Sequence, residues 1–387
     1  MASELRTMYA VGVMAFIIFL SSLVSLPVLP RLSVELGAKA YQIPIVVSAA
    51  LATVVVVQFF SGFLADRFSR RRLIQIGTLL GALSSLLCLV ASDWKVLAAL
   101  RVLGGVADAI SMPALLAITS TLGKDSPGRF FGILRGSQGL SFVVGPAIGS
   151  GLSLLSLRTP FLVDGVLSLA AFFAAFFLIK EQENVSTDHR FGIFRSLSAA
   201  FSDGRVFLYL LLGFAGLFSF GIFSAFVPTK GELIGLSAWQ IGLIITTGSI
   251  TFSASSYLVG NLSDRGGRKP IVIVSLIVVV LSGVGFVYAD GFFSLLICYV
   301  VYCVGEAVPY LLSFVYATES FEAHYMGAAM GAFDSLMDLS LLIGPLLGVG
   351  VFGWTGDLSD PFLIAVIPAL LALLVSVGWL NGRAIRS

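Results

Sequence analysis

The sequence has little charge and few of the side chains on which metal and nucleophile sites depend. Only 11% of its 387 residues are charged, and it contains three cysteines and two histidines. Cys88, Cys298 and Cys303 lie inside apolar runs, at spacings that fit neither a disulfide framework nor a metal site. His189 and His324 lie between apolar runs, so neither can serve a serine hydrolase inside a membrane. We therefore expect no disulfide, no metal centre and no histidine relay.

Several functional classes also lack the motif that they need. No Gly-x-x-x-x-Gly-Lys-Ser/Thr segment is present to bind a nucleotide, and no His-Glu-x-x-His segment is present for a metalloprotease. The net charge of +2 is too small to indicate a polyanionic partner, and the basic residues lie in short loops, so no nucleic-acid partner is expected. An intramembrane aspartyl enzyme is the enzyme alternative that stays open, because acids occur inside apolar runs.

The chain is instead rich in apolar residues, at 58% of the total with a mean hydropathy of +1.02. Such a composition indicates a membrane protein. Most of the chain divides into runs of about 20 residues, which as helices can cross a hydrocarbon core about 30 Å thick. The predicted spans are 8–29, 41–62, 72–92, 96–121, 129–155, 160–180, 205–228, 239–260, 270–289, 293–318, 326–352 and 360–380.

Lysine and arginine are distributed unevenly between the two sides of this arrangement. With the N-terminus inside, sixteen of them fall on the cytoplasmic side and five on the other. Because cytoplasmic loops carry the excess of basic residues, both termini are predicted to be cytoplasmic.

The chain contains an internal repeat with an offset of about half its length. The segment from Gly62 to Arg72 has the order Gly, three residues, Asp-Arg, two residues and basic residues, and the order recurs from Gly260 to Lys269. Two further pairs have nearly the same offset. Asp108 matches Glu306, and Gly145-Pro146-x-x-Gly149 matches Gly344-Pro345-x-x-Gly348.

Two parallel six-span halves joined by a cytoplasmic linker resemble the major facilitator superfamily of secondary transporters. The loop motif resembles the Gly-x-x-x-Asp-Arg-x-Gly-Arg-Arg signature of that family, with Ser69 where the family prefers Gly. The resemblance implies an all-α membrane protein with twelve transmembrane helices in two pseudo-twofold-related six-helix bundles. The bundles would comprise residues 1–180 and 205–387, and the linker 181–204 contains a candidate interfacial helix.

The loop motif implies a gating latch. In the family, the first-half Asp docks at the cytoplasmic beginning of helix eleven, and a carboxylate there can accept backbone N–H bonds and complement the helix dipole. The alternative is that these charges only fix the topology. We call the following residues the latch set: Gly62, Asp66, Arg67, Arg70, Arg71, Gly260, Asp264, Arg265 and Arg268.

The Gly-Pro element resembles the antiporter motif of drug and proton exchangers in this superfamily, where it bends helix five. Because Gly and Pro are frequent in membrane helices, the motif alone does not establish export. The predicted bend residues are Gly145, Pro146, Gly149, Gly344, Pro345 and Gly348.

Ionisable residues at membrane depth indicate function, because each costs about 2.5–3.5 kcal/mol to insert. The Arg101-x-x-Gly104-Gly105 segment also resembles a family motif that is associated with proton transfer. Asp164 qualifies by depth as well, although each acid could instead form a structural pair. We predict that proton coupling and substrate contact involve Asp108, Glu306, Arg101, Asp334 and Asp338.

Aromatic residues crowd spans seven and ten of the expected cavity, whereas membrane amides are few. This pattern favours a hydrophobic or amphipathic substrate over a sugar. The aromatic residues are Phe214, Phe218, Phe220, Phe223 and Phe226 in span seven, and Tyr299, Tyr302, Tyr310 and Tyr316 in span ten.

The predicted function is proton-coupled export of hydrophobic or amphipathic small molecules by alternating access. Proton-coupled uptake of a nutrient is the alternative, and a transport-inactive receptor or scaffold stays open. We expect no cofactor other than the proton gradient, no enzymatic activity, and a monomer in the lipid bilayer of a prokaryotic plasma membrane. The partners are then the small-molecule substrate and protons.

Overall fold

The structure is a computed structural model of the chain, and it describes residues 2–122, 127–179, 204–266, 268–320 and 326–379. These residues are almost entirely helical. The α-helices, numbered in chain order, are α1 Ala2–Val24, α2 Leu29–Glu35, α3 Ile43–Arg67, α4 Arg70–Cys88, α5 Trp94–Leu122, α6 Pro127–Ser153, α7 Thr159–Leu178, α8 Gly204–Leu233, α9 Ala238–Gly266, α10 Arg268–Val287, α11 Phe292–Ser320, α12 Met326–Thr355, α13 Ser359–Ala365 and α14 Ile367–Trp379.

Each predicted span corresponds to one helix or to a pair of consecutive helices, and most boundaries agree to within a few residues. Ten helical segments in the described ranges are long and apolar enough to cross a membrane. α4 and α6 are not among these ten, and α4 begins with three arginines. Both are nevertheless helices of transmembrane length, at 19 and 27 residues.

The first and last predicted spans are interrupted at prolines. α1 ends at Val24, a 3₁₀ turn covers Leu26–Val28, and α2 begins at Leu29, with Pro27 and Pro30 near the start of the turn and of α2. The last span is divided at Val366, where Pro368 occupies the first turn of α14. Proline has no N–H to donate to the preceding turn, and this explains why each span is a pair of helices.

The helices divide into two compact units. Unit 1 comprises Met1–Thr187 with Gly235–Thr246, and unit 2 comprises Asp188–Ile234 with Thr247–Ser387. In unit 1, α1 packs against α6 and α7, while α5 packs between α3 and α4. In unit 2, α8 packs against α11, α12 and α14. The predicted linker lies outside the described residues, except for Gly204 at the beginning of α8.

Cationic side chains cap one helix end in each unit. Arg158 donates to the carbonyl oxygens of Leu89 and Ala91, just beyond the C-terminus of α4, and its Nη2–O distance to Ala91 is 3.1 Å. In unit 2, the buried Lys230 donates to the carbonyl oxygens of Phe286 and Val287 at the C-terminal end of α10. Such contacts satisfy carbonyl groups that have no partner within the helix and oppose the negative end of its dipole.

The turn between α12 and α13 is fixed by local hydrogen bonds. Gly356 has a φ of 73°, a left-handed conformation that glycine adopts without strain. The backbone N–H of Ser359 donates to Asp357 Oδ1 at 2.8 Å, and this bond lowers the pKa of the exposed Asp357 carboxyl. The turn thereby sets the beginning of the last helix pair.

Candidate functional site

Two consecutive glycines let α5 pack closely between its neighbours. A Cβ on Gly104 would lie 3.2 Å from Ser84 Oγ of α4, and one on Gly105 would lie 2.7 Å from Thr53 Cβ and still closer to the Ala50 carbonyl of α3. At Gly105 the clash with a backbone carbonyl allows only glycine, whereas a larger residue at Gly104 would require a small shift of Ser84. The Gly-Gly pair of the predicted motif therefore brings the polar residues of α5 against the adjacent helices.

Asp108 on α5 faces α1, where one hydroxyl lies within hydrogen-bond distance of both carboxylate oxygens of Asp108. Ser22 Oγ lies 2.9 Å from Asp108 Oδ2 and 3.1 Å from Oδ1. Arg101, two helical turns earlier, is only 8% exposed and donates through Nη1 to Ser25 Oγ at 3.2 Å, while its Nε has no hydrogen-bond partner. Within the described part of the chain, no ion pair under 4.0 Å joins Arg101 to an acid. Arg101 therefore acts on Asp108 electrostatically, across a gap.

Asp164 on α7 is the unexpected member of this group. It is 3% exposed, accepts a long hydrogen bond of 3.4 Å from Ser168, and also interacts with the Ser85 hydroxyl of α4. The sequence identified it as an acid at membrane depth but did not connect it with Asp108 and Arg101. The signal that was available is Ser168, four residues later and therefore on the same face of α7.

A polar cavity joins these three charged side chains inside unit 1. Its walls come from α1, α3, α4, α5 and α7, and most of its lining is hydroxyl, glycine or charged. About 20 Å³ is open to the centres of water molecules, enough for roughly one water. The lining residues are Ile18, Ser21, Ser22, Ala50, Gly77, Thr78, Gly81, Ser85, Arg101, Gly104, Asp108, Ser111, Asp164 and Ser168.

Glu306 on α11 of unit 2 has different surroundings from its repeat counterpart Asp108. It is 2% exposed, and its Oε2 has no hydrogen-bond partner in the described structure. Its Oε1 would lie 2.6 Å from a Cβ added to Gly216, so α8 approaches this carboxyl as closely as glycine permits. Tyr302 lies one turn earlier on the same helix, and its buried hydroxyl interacts with the Glu306 carboxyl without forming a hydrogen bond of ordinary geometry. The two halves thus hold equivalent acids in a polar and in an apolar setting.

The apolar setting is an aromatic cluster in which several of the predicted aromatic residues take part. Phe223 packs edge-on against Tyr302 at 4.4 Å between ring centroids and lies 4.9 Å from Phe286 and 5.9 Å from Phe362. Tyr299 lies 6.2 Å from Tyr302 in the same cluster. These rings are buried against one another and form the core of unit 2.

Other predicted aromatics form separate pairs. Phe214 stacks on Phe218 at 5.8 Å, and Tyr316 stacks on Tyr209 at 4.4 Å with nearly parallel planes. Tyr310 lies 5.9 Å from Phe252. Aromatic pairs of this kind contribute about 0.5–1.5 kcal/mol beyond the burial of their surfaces.

The glycines of the Gly-Pro elements lie at close helix contacts in both units. Gly145 and Gly149 on α6 face the end of α1, where a Cβ on Gly145 would be 2.7 Å from Leu23 Cβ and one on Gly149 would overlap the Val24 carbonyl. In unit 2, Gly344 on α12 faces α8 in the same way, at 2.6 Å from the Phe218 carbonyl oxygen. Pro146 and Pro345 lie inside their helices. The repeat therefore preserves a packing contact, and the predicted bend stays a prediction.

For most residues of the latch set, the structure describes the backbone but not the side chain. Its backbone positions are at the C-terminal end of α3, the beginning of α4, the end of α9 and the beginning of α10. Arg71 is described, and its guanidinium lies 4.5 Å from the Phe176 ring centroid on α7 of the same unit. The residues whose surroundings lie outside the description are Gly62, Asp66, Arg67, Gly260, Asp264, Arg265 and Arg268.

The predicted acid pair of α12 is described only in part. Asp338 is partly buried and has an interaction partner, whereas the side chain of Asp334 lies outside the described residues. Among the described residues, no group of three His, Cys, Asp or Glu side chains is placed to hold a metal ion.

Comparisons with known proteins agree with this architecture. The family model described as Major Facilitator Superfamily matches residues 11–345 and 210–386. The chain is 26% identical over 347 residues to the Quinolone resistance protein NorA of Staphylococcus aureus, which covers 87% of each protein. It is 24% identical over 380 residues to Multidrug resistance protein 2 of Bacillus subtilis, which covers 94% of this chain and 92% of the relative.

Two solved structures have the same fold. The nucleoside transporter NupG gives a TM-score of 0.77 at 15% identity, with 99% of this chain and 100% of that chain covered. A bacterial homologue of the human lysosomal transporter Spinster, in an inward-facing and unoccupied conformation, gives a TM-score of 0.79 at 12% identity, with coverage of 100% and 99%. At these identities the two structures show the fold alone.

Proposed function

The chain belongs to the major facilitator superfamily, and from this premise we propose that it exports hydrophobic or amphipathic small molecules in exchange for protons. It is a multi-pass transporter of the prokaryotic plasma membrane, with the twelve-helix fold of that superfamily. The relatives named for resistance to quinolones and to multiple drugs support a drug-like substrate for this chain as well. We also propose that it acts as a monomer, uses no cofactor and has no enzymatic activity.

The observation that carries the proposal is the buried carboxyl of Glu306, one oxygen of which lacks a hydrogen bond of ordinary geometry. A carboxylate in an apolar protein interior is costly unless it is paired or takes up a proton. Glu306 is almost completely buried, packs against Gly216 and has an oxygen without a hydrogen-bond donor. A proton or the cationic group of a substrate satisfies such an oxygen equally well, and competition between the two for one carboxyl is a direct route to exchange.

Asp108 and Arg101 serve in the proposal as the polar counterpart in unit 1. Asp108 is stabilised by Ser22, and Arg101 supplies a fixed positive charge in the same cavity. Asp334 and Asp338 lie one helical turn apart on α12, so they share a face of that helix. We propose that their protonation is linked to the latch, which stabilises the outward-facing state through Asp66.

The proposal is tested with the purified full-length chain in liposomes under an imposed pH gradient. The probes are a fluorescent quinolone and a fluorescent lipophilic cation, and the measurement is proton flux that depends on the added compound. In exchange, protons move opposite to the compound, whereas in nutrient uptake they move with the substrate. A double variant with Asp108→Asn and Glu306→Gln should lose the flux. Flux at the wild-type level in that variant would refute the coupling role and favour a different use of the fold.

A further inference from the structure

The cavity of unit 1 contains two acids and one base, and this imbalance is our starting point. Arg101 interacts electrostatically with both Asp108 and Asp164, and the two acids also interact with each other. With both acids ionised the cavity carries one excess negative charge in the interior of a helix bundle. With a single proton on either acid, the three groups are neutral together. Because uncompensated charge is strongly unfavourable at this depth, the geometry favours one retained proton.

The three charged groups lie at successive depths along the helices. The connections before α5 and before α7 are at the same end of unit 1, because Arg158, just before α7, donates to the carbonyl of Ala91, just before α5. Asp164 lies five residues into α7, or about 8 Å from that end, and Arg101 lies about 10 Å into α5. Asp108 lies about 21 Å into α5 at the same rise per residue. Arg101 therefore separates a shallow acid from a deep one.

Hydroxyl groups line the interval between these two acids. Ser85 and Ser168 lie beside Asp164, Ser22 contacts Asp108, and Ser21 of α1 and Thr78 of α4 also line the cavity. Hydroxyls both donate and accept, so together with a water they can pass a proton without separating charge across the apolar core. The cavity has room for about one water molecule among these groups.

We propose that Asp164 and Asp108 share one exchangeable proton against the fixed charge of Arg101, and that the hydroxyl-lined cavity carries this proton between the end of unit 1 near Asp164 and the deep Asp108. The inward step begins with both acids ionised, when a hydronium ion transfers a proton to the Asp164 carboxylate and leaves as a water molecule. The proton then passes to Asp108, which becomes neutral as Asp164 becomes ionised again. Asp164 is thereby assigned as a proton-carrying residue, and the inference rests on the proposed function only where this proton drives export.

The charged and titratable groups around Asp164 make this assignment specific. α5 contributes Arg101 and Asp108, α4 contributes Cys88 beside the Ser85 hydroxyl, and α1 contributes the hydroxyl of Ser21, which Ser168 contacts at 3.3 Å. Arg101 is the only cation among the described residues that line the cavity. A single base therefore leaves one of the two acids to take a proton.

Proton counting in the absence of any drug tests the sharing directly. The full-length chain is purified in detergent, and the protons bound between alkaline and acidic pH are measured for the wild type, Asp164→Asn, Asp108→Asn and the double variant. Either single substitution leaves one acid to pair with Arg101, so each should remove the same one proton. The double variant should remove no more than that proton. Glu232→Gln changes a buried acid of unit 2 that lies outside the cavity, and it is the matched control.

Two results would overturn the inference. These are an unchanged proton count in Asp164→Asn and a loss of two protons in the double variant. If Asp164→Asn does not fold, two other measurements test whether Asp164 shares the proton. Asp108→Asn should lose one proton, and Ser85→Ala should shift the infrared band of the protonated carboxyl. The absence of either effect would contradict the sharing. No drug is present, so these counts stand even if the liposome assay detects no drug-dependent proton flux. If that flux is present in the wild type, Asp164→Asn should abolish it while leaving the binding of the fluorescent compound intact.

Discussion

Replacing Glu306 by glutamine should reduce the affinity for cationic compounds and leave neutral compounds of the same shape almost unaffected. The substitution keeps the size of the side chain beside Gly216, removes its charge and replaces one acceptor oxygen by an amide NH2 donor. Because Oε2 of Glu306 has no hydrogen bond of ordinary geometry, the nearby Tyr302 hydroxyl should compete only weakly with a bound cation. The loss should therefore appear in the charge-dependent part of binding alone.

The magnitude follows from the electrostatics of a buried site. Two unit charges about 4 Å apart attract by about 4 kcal/mol at an effective dielectric constant of about 20. Removing both charges from water opposes this attraction, so the full amount is an upper bound. A net effect of about 1.4–4 kcal/mol corresponds to a loss of affinity between about tenfold and a thousandfold for a monovalent cation. A neutral isostere has no such attraction and should change by less than about threefold.

The assay is equilibrium binding to the purified chain in lipid nanodiscs, with a fluorescent lipophilic cation and its uncharged analogue. Glu232→Gln is the control, since it removes a buried acid from the same unit without touching the α8–α11 contact at Gly216. Equal losses for the cation and the neutral analogue would show that the substitution disturbs the shape of the site. Unchanged affinity for the cation would refute the role of Glu306 as its counter-charge.

Three further predictions concern the scaffold and the latch. Gly149→Ala should lower the free energy of unfolding by about 1–3 kcal/mol, because the added methyl group would overlap the carbonyl at the end of α1. Gly151→Ala is the control, since open space surrounds that position and the free energy of unfolding should not fall. Lys230→Met should destabilise unit 2 by about 1–3 kcal/mol, since it leaves buried carbonyls at the end of α10 without their charged donor, as measured by thermal unfolding. Asp66→Asn should weaken the outward-facing state more than Asp264→Asn, as measured by cysteine accessibility from the cytoplasmic side.

Each of these has an outcome that contradicts it. Equal melting temperatures for the two glycine variants would mean that the α1–α6 contact relaxes freely. No loss on removing the lysine amine would mean that water replaces it at the helix end. Equal effects of the two aspartate changes on accessibility would argue against an asymmetric latch and favour the view that the loop charges only fix topology.

Much of the architecture follows from local properties of the chain. Apolar runs of transmembrane length predicted the helices, since a membrane-spanning segment must satisfy its own backbone hydrogen bonds. Prolines at residues 27, 30 and 368 divided two of the spans into helix pairs, because proline has no backbone N–H to donate to the preceding turn. The constant offset between the halves predicted Asp108 and Glu306 as counterparts. The family assignment made from these motifs is confirmed by the family model across the chain.

The partners of each charged side chain could not be derived in this way. Depth along a helix can be counted from the sequence, but the neighbour that a given face meets depends on how the helices pack. Packing brought Asp164 of α7 into the cavity of Asp108 and Arg101, and gave Asp108 a hydroxyl partner. It left the equivalent Glu306 against a glycine without a donor. The sequence by itself thus determined a repeated bundle of membrane helices with buried acids. Only the tertiary structure decided which acid meets a serine hydroxyl, which one lies against a glycine and which two line one cavity with Arg101.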